Sequence, residues 1–466
     1  MMYDIKLKGT CRLAKQTNEM DMLHGSLWDK LILFAAPVAL TAILEQLFNA
    51  ADVAILGQYL GKDAMAAVGN SVPIVGLIVA FYLGISLGSN VIIARAIGAR
   101  DFDEASSAVH SSVALAILAG ILILLLGEAL ALPMLRALSV PEEVMPMAES
   151  YLRVFLLGMP FMSIYNFAAA ILRSRGDTKT PMIALLIASI LNVLLDFLFV
   201  AGLAWGVAGA AFGTALSYWV AAWMLFLALR HAQGILHVEY HRLSLNKGHL
   251  QDIFAIGMPA ALQGMVFCIA NLCIQAAINS LGPEAMAASA AGFIIEIIVY
   301  CFVLAFQQSC TTFVSQNYGA GNLARCKEVT QKCLLLSLFT HTAICIPVFI
   351  FTRPLLALFN PDPVIIALGV DRIHYVAILE GLGLFIDIFS GAMRGYGYSL
   401  MPAIVTLIGI CGVRLLWVFF VFPQDPSFVR LLLAYPLSWS ITSFCIYLLY
   451  RFFMRHVKKP MSLREV

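Results

Sequence analysis

Apolar residues run in long stretches from Leu31 to Arg455, interrupted only by short polar breaks. A hydrocarbon core of about 30 Å takes about 20 helical residues to cross, and these stretches are long enough to do so. Twelve spans fit the pattern: 30 to 56, 64 to 94, 106 to 132, 144 to 173, 180 to 201, 207 to 230, 251 to 281, 285 to 316, 328 to 358, 364 to 394, 400 to 422 and 428 to 453. The pattern predicts an all-α integral membrane protein with no soluble domain.

The polar breaks are not equivalent. One set of loops, with the two tails, carries Arg95, Arg100, Arg173, Arg175, Lys179, Arg230, Arg242, Lys247, Arg325, Lys327, Lys332, Arg394, Arg451, Arg455, Lys458 and Lys459 besides Lys6, Lys8, Arg12 and Lys15. The opposite loops carry Lys62, Arg136, Arg353, Arg372 and Arg430. Lys and Arg in short loops are retained in the cytoplasm, so both termini are expected there, which requires an even number of spans. Residues 1–25 lack a signal-like apolar core and read as a cytosolic tail, as do residues 456–466. The polar stretch 231–250 separates a six-helix lobe over 26–230 from a second over 251–455.

These two lobes repeat each other. Gly61-Lys62-Asp63-Ala64-Met65-Ala66-Ala67 returns as Gly282-Pro283-Glu284-Ala285-Met286-Ala287-Ala288, an offset of 221 residues. The same offset carries Gly98-Ala99 onto Gly319-Ala320, Arg173 onto Arg394, Gly176 onto Gly397 and Pro181 onto Pro402. Pro37 and Pro259 match after a one-residue gap. Repeats of six spans start on the same side of the bilayer, giving two parallel bundles around a central cavity. That is the layout of a secondary transporter that rocks one lobe against the other.

Composition agrees. The 466 residues are 61% hydrophobic and 12% charged, with a mean hydropathy of +0.90, more apolar surface than a soluble core could hide. A net charge of +2 offers no basic stripe for nucleic acid. Most cysteines lie inside apolar segments without paired spacing and read as small apolar residues. No zinc motif, nucleophile setting or Walker A loop is present, so neither an enzyme nor an ATP-driven pump is expected.

An ionisable group at bilayer depth costs about 2.5 kcal/mol or more, which makes buried acids the place to look for function. The first span holds Glu45, Gln46, Asn49 and Asp52; the fifth holds Asn192 and Asp196 at i, i+4, on one face; the sixth holds Thr214 among small residues. Counted at 1.5 Å per residue, Asp52, Asp196 and Thr214 lie about 8 to 10 Å below the outer end and can meet. In the second half Glu296, Glu380, Asp387 and Arg414 are embedded, and Glu380 and Arg414, at similar depth, are expected to neutralise each other.

On these residues the chain resembles the multidrug and toxic compound extrusion (MATE) family along essentially its whole length. Asn49-Ala50-Ala51-Asp52, Asn192-Val193-Leu194-Leu195-Asp196 and Thr214 match the family's cation site, and Leu172-Arg173-Ser174-Arg175-Gly176-Asp177-Thr178 and Gln316-Asn317-Tyr318-Gly319-Ala320 look like its two cytoplasmic motifs. Pro37 stands where the family has a helix hinge. Phe48 replaces a Tyr common in relatives, and no carboxylate lies between Pro259 and Leu281, so a sodium site in the second lobe is not expected.

The resemblance implies a multidrug efflux antiporter of the bacterial inner membrane. It would exchange cytoplasmic organic, often cationic, drugs for H⁺ or Na⁺ as a monomer without a cofactor, with only lipid and small-molecule substrates as partners. Asp52, Asn192, Asp196 and Thr214 would hold the ion, with Glu45 and Asp387 as further coupling carboxylates. Phe48, Asn49, Met162, Tyr165, Met265 and Phe293 would line the drug cavity. A lipid-linked oligosaccharide flippase of the same superfamily is the alternative, but it would need a basic central cavity, and Arg414 reads as nearly the only buried cation.

Overall fold

The computed structural model of the protein describes residues 20–138 and 140–458; the basic residues Lys6, Lys8, Arg12, Lys15 and Lys459 assigned to the tails lie outside the described residues. Among the described residues every regular element is helical. Eleven helices are individually long and apolar enough to cross a membrane. They are α1 (Trp28–Leu60), α2 (Asp63–Gly98), α3 (Phe102–Ala137), α5 (Lys179–Gly202), α6 (Gly206–His231), α7 (Lys247–Asn279), α8 (Pro283–Gly319), α9 (Leu323–Ile350), α10 (Pro363–Gly395), α11 (Leu400–Gln424) and α12 (Phe428–His456). The remaining span, α4, is a pair, Met145–Leu156 and Met159–Ser174, bent by 47°. Every expected span is found.

The bend in α4 has a local cause. Gly158 precedes Met159-Pro160, and a proline near the start of the second half supplies no N–H to the turn before it. The repeat carries the break into α10, where a wide π-helical turn at Ile373–Ala377 and a 3₁₀ turn at Leu379–Leu382 interrupt the helix. A π-helical turn at Phe197–Gly202 also follows Asp196 directly in α5. Such turns inside helices concentrate at functional sites. Pro37, by contrast, leaves α1 a single helix, its carbonyl accepting a hydrogen bond from Thr41 Oγ1 at 2.8 Å.

One basic residue is misplaced by the loop reading. Arg372, counted with the loops opposite the termini, is inside α10 and only 3% exposed. It leaves the sparse side sparser still, and puts a second guanidinium inside the second lobe.

The lobes meet along α1 and α2 of one half and α7 and α8 of the other. At the end that carries the termini their backbones touch. A methyl group at Gly98 would overlap the Gln316 carbonyl, and one at Gly319 would overlap the Arg95 carbonyl, so the repeat-related glycines make one close crossing. Gly84 and Gly257 pack the same way against Ala261 and Ile85. Further along α2 the gap opens: a methyl at Gly76 would reach Cys268 only at 3.8 Å, and at Gly69 would meet nothing within 4 Å. The wedge between the lobes is therefore closed at the terminal end and open at the other.

Side chains of both cytoplasmic-type motifs hold the closed end. Gln316 Nε2 donates to the Ser174 carbonyl (2.6 Å), Arg173 Nη1 to Gln308 Oε1 (2.9 Å) and Thr312 Oγ1 to Asn90 Oδ1 (2.9 Å). The segment before α1 joins them. Met20 N–H donates to the Arg175 carbonyl in the first lobe, while the Met22 carbonyl accepts from Asn317 and Arg325 in the second. Of the tail expected over 1–25, the part from Met20 onward is thus docked on both lobes.

Candidate functional site: a buried acid pair in the first lobe

Asp52 sits on α1, Asn192 and Asp196 on α5 and Thr214 on α6, and the fold brings all four together inside the first lobe. Asp52 is 3% exposed, Asn192 and Asp196 are 0% and Thr214 is 2%. Thr214 Oγ1 donates to Asp52 Oδ2 at 2.9 Å and accepts from Asn192 Nδ2 at 3.3 Å. The i, i+4 spacing of Asn192 and Asp196 aims both inward. Gly213 lets α6 come close, since a methyl there would lie 2.7 Å from Asp196 Oδ1.

The remaining acceptors have no donor. Asp52 Oδ1, Asn192 Oδ1 and both carboxylate oxygens of Asp196 are buried without a hydrogen-bond partner. Buried oxygens are ordinarily satisfied, and an unpaired buried carboxylate is expensive. Two acids and an amide oxygen thus converge with four of their oxygens lacking a donor. Among the described residues no three His, Cys, Asp or Glu side chains converge on one point.

Tyr151, which sequence reading passes over, lies near the same site. It is 5% exposed and close enough to Asp52 and Asp196 to feel both charges. In a chain with 15 tyrosines nothing in its immediate sequence sets it apart. The bend of α4 just beyond it is the nearest signal.

The other expected residues scatter. Glu45 is half-buried on α1, within electrostatic reach of Arg173 and away from the acid pair's hydrogen bonds. Phe48, Met162 and Tyr165 are buried inside the first lobe; the rings of Phe48 and Tyr165 both pack on Tyr218, at 5.7 and 6.2 Å. Asn49 is exposed and does not join Asp52. Met265 is half-buried on α7, and Phe293 on α8 is 46% exposed with Arg372 lying 5.9 Å over its ring. Asp387, half-buried on α10, accepts from Gln307 Nε2 at 3.4 Å.

The second lobe holds more buried charge than expected. Arg372 Nη2 donates to Glu296 Oε2 at 2.7 Å, and the pair is nearly excluded from solvent. Arg394 is also buried and donates to Gln263. Glu380 and Arg414 are buried within reach of each other's charge, but they make no direct ion pair. Among the described residues Arg414 is therefore one of three buried arginines, all inside the second lobe.

Comparison with known proteins agrees with the repeat and the fold. The MatE family model matches the chain twice, at residues 37–198 and 259–420, so the two copies start 222 residues apart. The chain is 30% identical over 397 residues to the probable multidrug resistance protein NorM of Thermotoga maritima, covering 83% of this chain and 84% of that one. It is 25% identical over 439 residues to the probable multidrug resistance protein YoeA of Bacillus subtilis, covering 92% and 94%. A solved structure described as the outward-facing conformation of a multidrug resistance MATE family transporter superimposes with a TM-score of 0.87 at 22% identity, covering 95% of this chain and 99% of that one. The chain is a multi-pass membrane protein and belongs to the MATE family.

Proposed function

We propose that the protein is a secondary active multidrug efflux antiporter of the plasma membrane, with both termini cytoplasmic, working as a monomer without a cofactor. It exchanges cytoplasmic organic, often cationic, compounds for H⁺ or Na⁺. The observation that carries this reading is the set of four orphaned oxygens on Asp52, Asn192 and Asp196. Two neighbouring acids repel when both are charged, and an inward-moving cation relieves that repulsion. Each charge moved down the membrane potential supplies about 2.3 kcal/mol per 100 mV.

With the termini inside the cell, the wedge between the lobes opens outward. A cation entering from outside reaches α1, α5 and α6 and neutralises the acid pair, which favours release of drug into the wedge. Return to the inward-open state breaks the crossing at Gly98 and Gly319 and the bonds of Arg173 and Gln316. Drug then enters from the cytoplasm, and Met265 and Phe293, which are half-buried and exposed, supply adaptable thioether and aromatic surface, whereas Phe48, Met162 and Tyr165 are packed inside the first lobe. The flippase alternative draws no support from the buried arginines, because Arg372, Arg394 and Arg414 are packed within the second lobe and do not line the wedge.

Ethidium uptake into everted vesicles, driven separately by an imposed pH gradient and an imposed sodium gradient, tests the reading. One gradient is expected to drive uptake in the wild type and to fail with Asp52→Asn or Asp196→Asn. Full activity in both variants, or transport indifferent to both gradients, would overturn it.

A further inference from the structure

The turns that follow α4 and α10 are repeat-related, and the offset of 221 residues carries Gly176 of the first lobe onto Gly397 of the second. Both glycines stand at positive φ, +94° and +86°, and each has another part of the chain pressed onto it. A methyl group at Gly397 would overlap the guanidinium of Arg95, which reaches across from the end of α2 and lies 5.5 Å over the Tyr318 ring. The same offset carries Arg95 onto Gln316. Gln316 is the shorter side chain, and its amide stops at the Ser174 carbonyl, 2.6 Å away.

The place over Gly176 is taken by the segment before α1. A methyl group on Gly176 would lie 2.6 Å from Met20 Cβ and 2.9 Å from its nitrogen, and the Met20 N–H donates to the Arg175 carbonyl at 3.4 Å. The segment thus meets the first lobe by one long hydrogen bond and a backbone seat that only a glycine leaves open.

The same segment is built into the second lobe. Met22 is 0% exposed and joins the core that contains Phe313, Val314 and Cys326. Its carbonyl accepts from Asn317 Nδ2 at 3.2 Å and from Arg325 Nε at 3.3 Å, and the Gly25 carbonyl accepts from Arg325 Nη2 at 2.9 Å. One planar guanidinium therefore clasps two carbonyls, as its forked donors allow. Within the segment, Asp21 Oδ1 accepts from the N–H groups of Leu23 and His24 at 2.9 and 3.2 Å, and Lys30 Nζ donates to the Asp21 carbonyl at 2.6 Å. The turn is held in shape before it touches the first lobe, so the contact costs little further ordering.

We infer that residues 20–26 are a latch that belongs to the second lobe and fastens onto the first, holding the two together at the closed end. At the second lobe's turn Arg95 makes this clasp from within α2. At the first lobe's turn the repeat supplies only Gln316, and the latch completes the clasp. When the lobes part at this end the latch leaves with the second lobe, giving up the Met20 bond and the seat on Gly176 while keeping its bonds to Asn317 and Arg325. Its grip sets how often that end opens. The inference rests on the rocking of the lobes proposed above, and its test needs neither drug nor ion gradient.

Spin labels carried on noncanonical residues read both ends of the full chain in detergent by pulsed distance measurement. One pair replaces Asp103 and Lys327, exposed in the two lobes at the closed end, and a second pair replaces Asp63 and Glu284, exposed at the open end. Met20→Pro removes the N–H that reaches Arg175, and Arg325→Met removes the donors to Met22 and Gly25. Each is expected to raise the fraction of molecules separated at the closed end by about fivefold, the population equivalent of one net hydrogen bond, with a matching rise in molecules drawn together at the open end. Met20→Leu, which keeps the N–H and the Cβ, should match the wild type. Unchanged distributions in either variant would overturn the latch, as would broadening at the closed end with the open end unaltered, which is local fraying. Gly98→Ala separates this from failure of the rocking itself: if it moves both ends and the latch variants do not, the latch alone falls, and if it moves neither, both fall together.

Discussion

The two lobes descend from one pattern of six helices yet treat buried charge in opposite ways. In the first, Asp52 and Asp196 face each other with orphaned oxygens and no cation of the chain beside them. In the second, Glu296 is paired directly with Arg372 at 2.7 Å. An unmatched acid must recruit its positive charge from solution and can lose it again, whereas a matched one has nothing to exchange. On the function proposed above, a repeat conserves its scaffold while its two copies carry different buried charges.

The largest effect should come from unbalancing the matched lobe. Arg372→Gln leaves Glu296 buried without its partner, and breaking a buried pair costs about 3 to 5 kcal/mol. The variant is expected to melt far below the wild type in detergent, with Glu296→Gln/Arg372→Gln recovering much of the loss. If Arg372→Gln melts like the wild type, the pair is not part of the lobe's charge balance. In the unmatched lobe, Asp196→Asn should leave folding intact and remove ion dependence instead. A coupling of about 1 to 3 kcal/mol corresponds to about 5- to 150-fold in gradient-stimulated ethidium transport, and a change under twofold would count against the site.

A third substitution acts on both lobes at once. Gly98→Ala overfills the backbone crossing at the closed end, and overpacking typically costs about 1 to 3 kcal/mol. Spin labels on the two lobes should report a shift of population toward separation at that end; an unchanged distance distribution would show that the crossing does not hold the closed state. The smallest effect is expected at Thr214→Val, which removes the donor to Asp52. Losing one such bond costs about 1 to 3 kcal/mol, weakening ion binding by about tenfold without abolishing transport. Unaltered ion affinity would place Thr214 with packing residues.

How much of this the sequence reveals follows from the range of each interaction. All twelve spans are legible because bilayer thickness dictates helix length. Asp52, Asn192, Asp196 and Thr214 come together as expected because spacing along a helix fixes both face and depth. Tyr151 and the Arg372–Glu296 pair are not legible, since which side chains meet across helices depends on how each helix is rotated. Arg372 misleads further by lying near the outer end of its span, where a basic residue looks like a loop residue. The break in α4 is written in Gly158, Met159 and Pro160, and a reading by apolar length alone runs past it. Asn49, one turn before Asp52 and expected in the drug cavity, is exposed.

The proposal that the acid pair of the first lobe exchanges the ion is tested most directly by reversal-potential measurements in proteoliposomes. These find the membrane potential at which net ethidium flux stops for a given ion gradient. In the wild type that potential should move with the gradient, and in Asp52→Asn/Asp196→Asn it should cease to respond. A double variant whose reversal potential still tracks the ion gradient would contradict the account, because the ion would then be taken up and released at other residues.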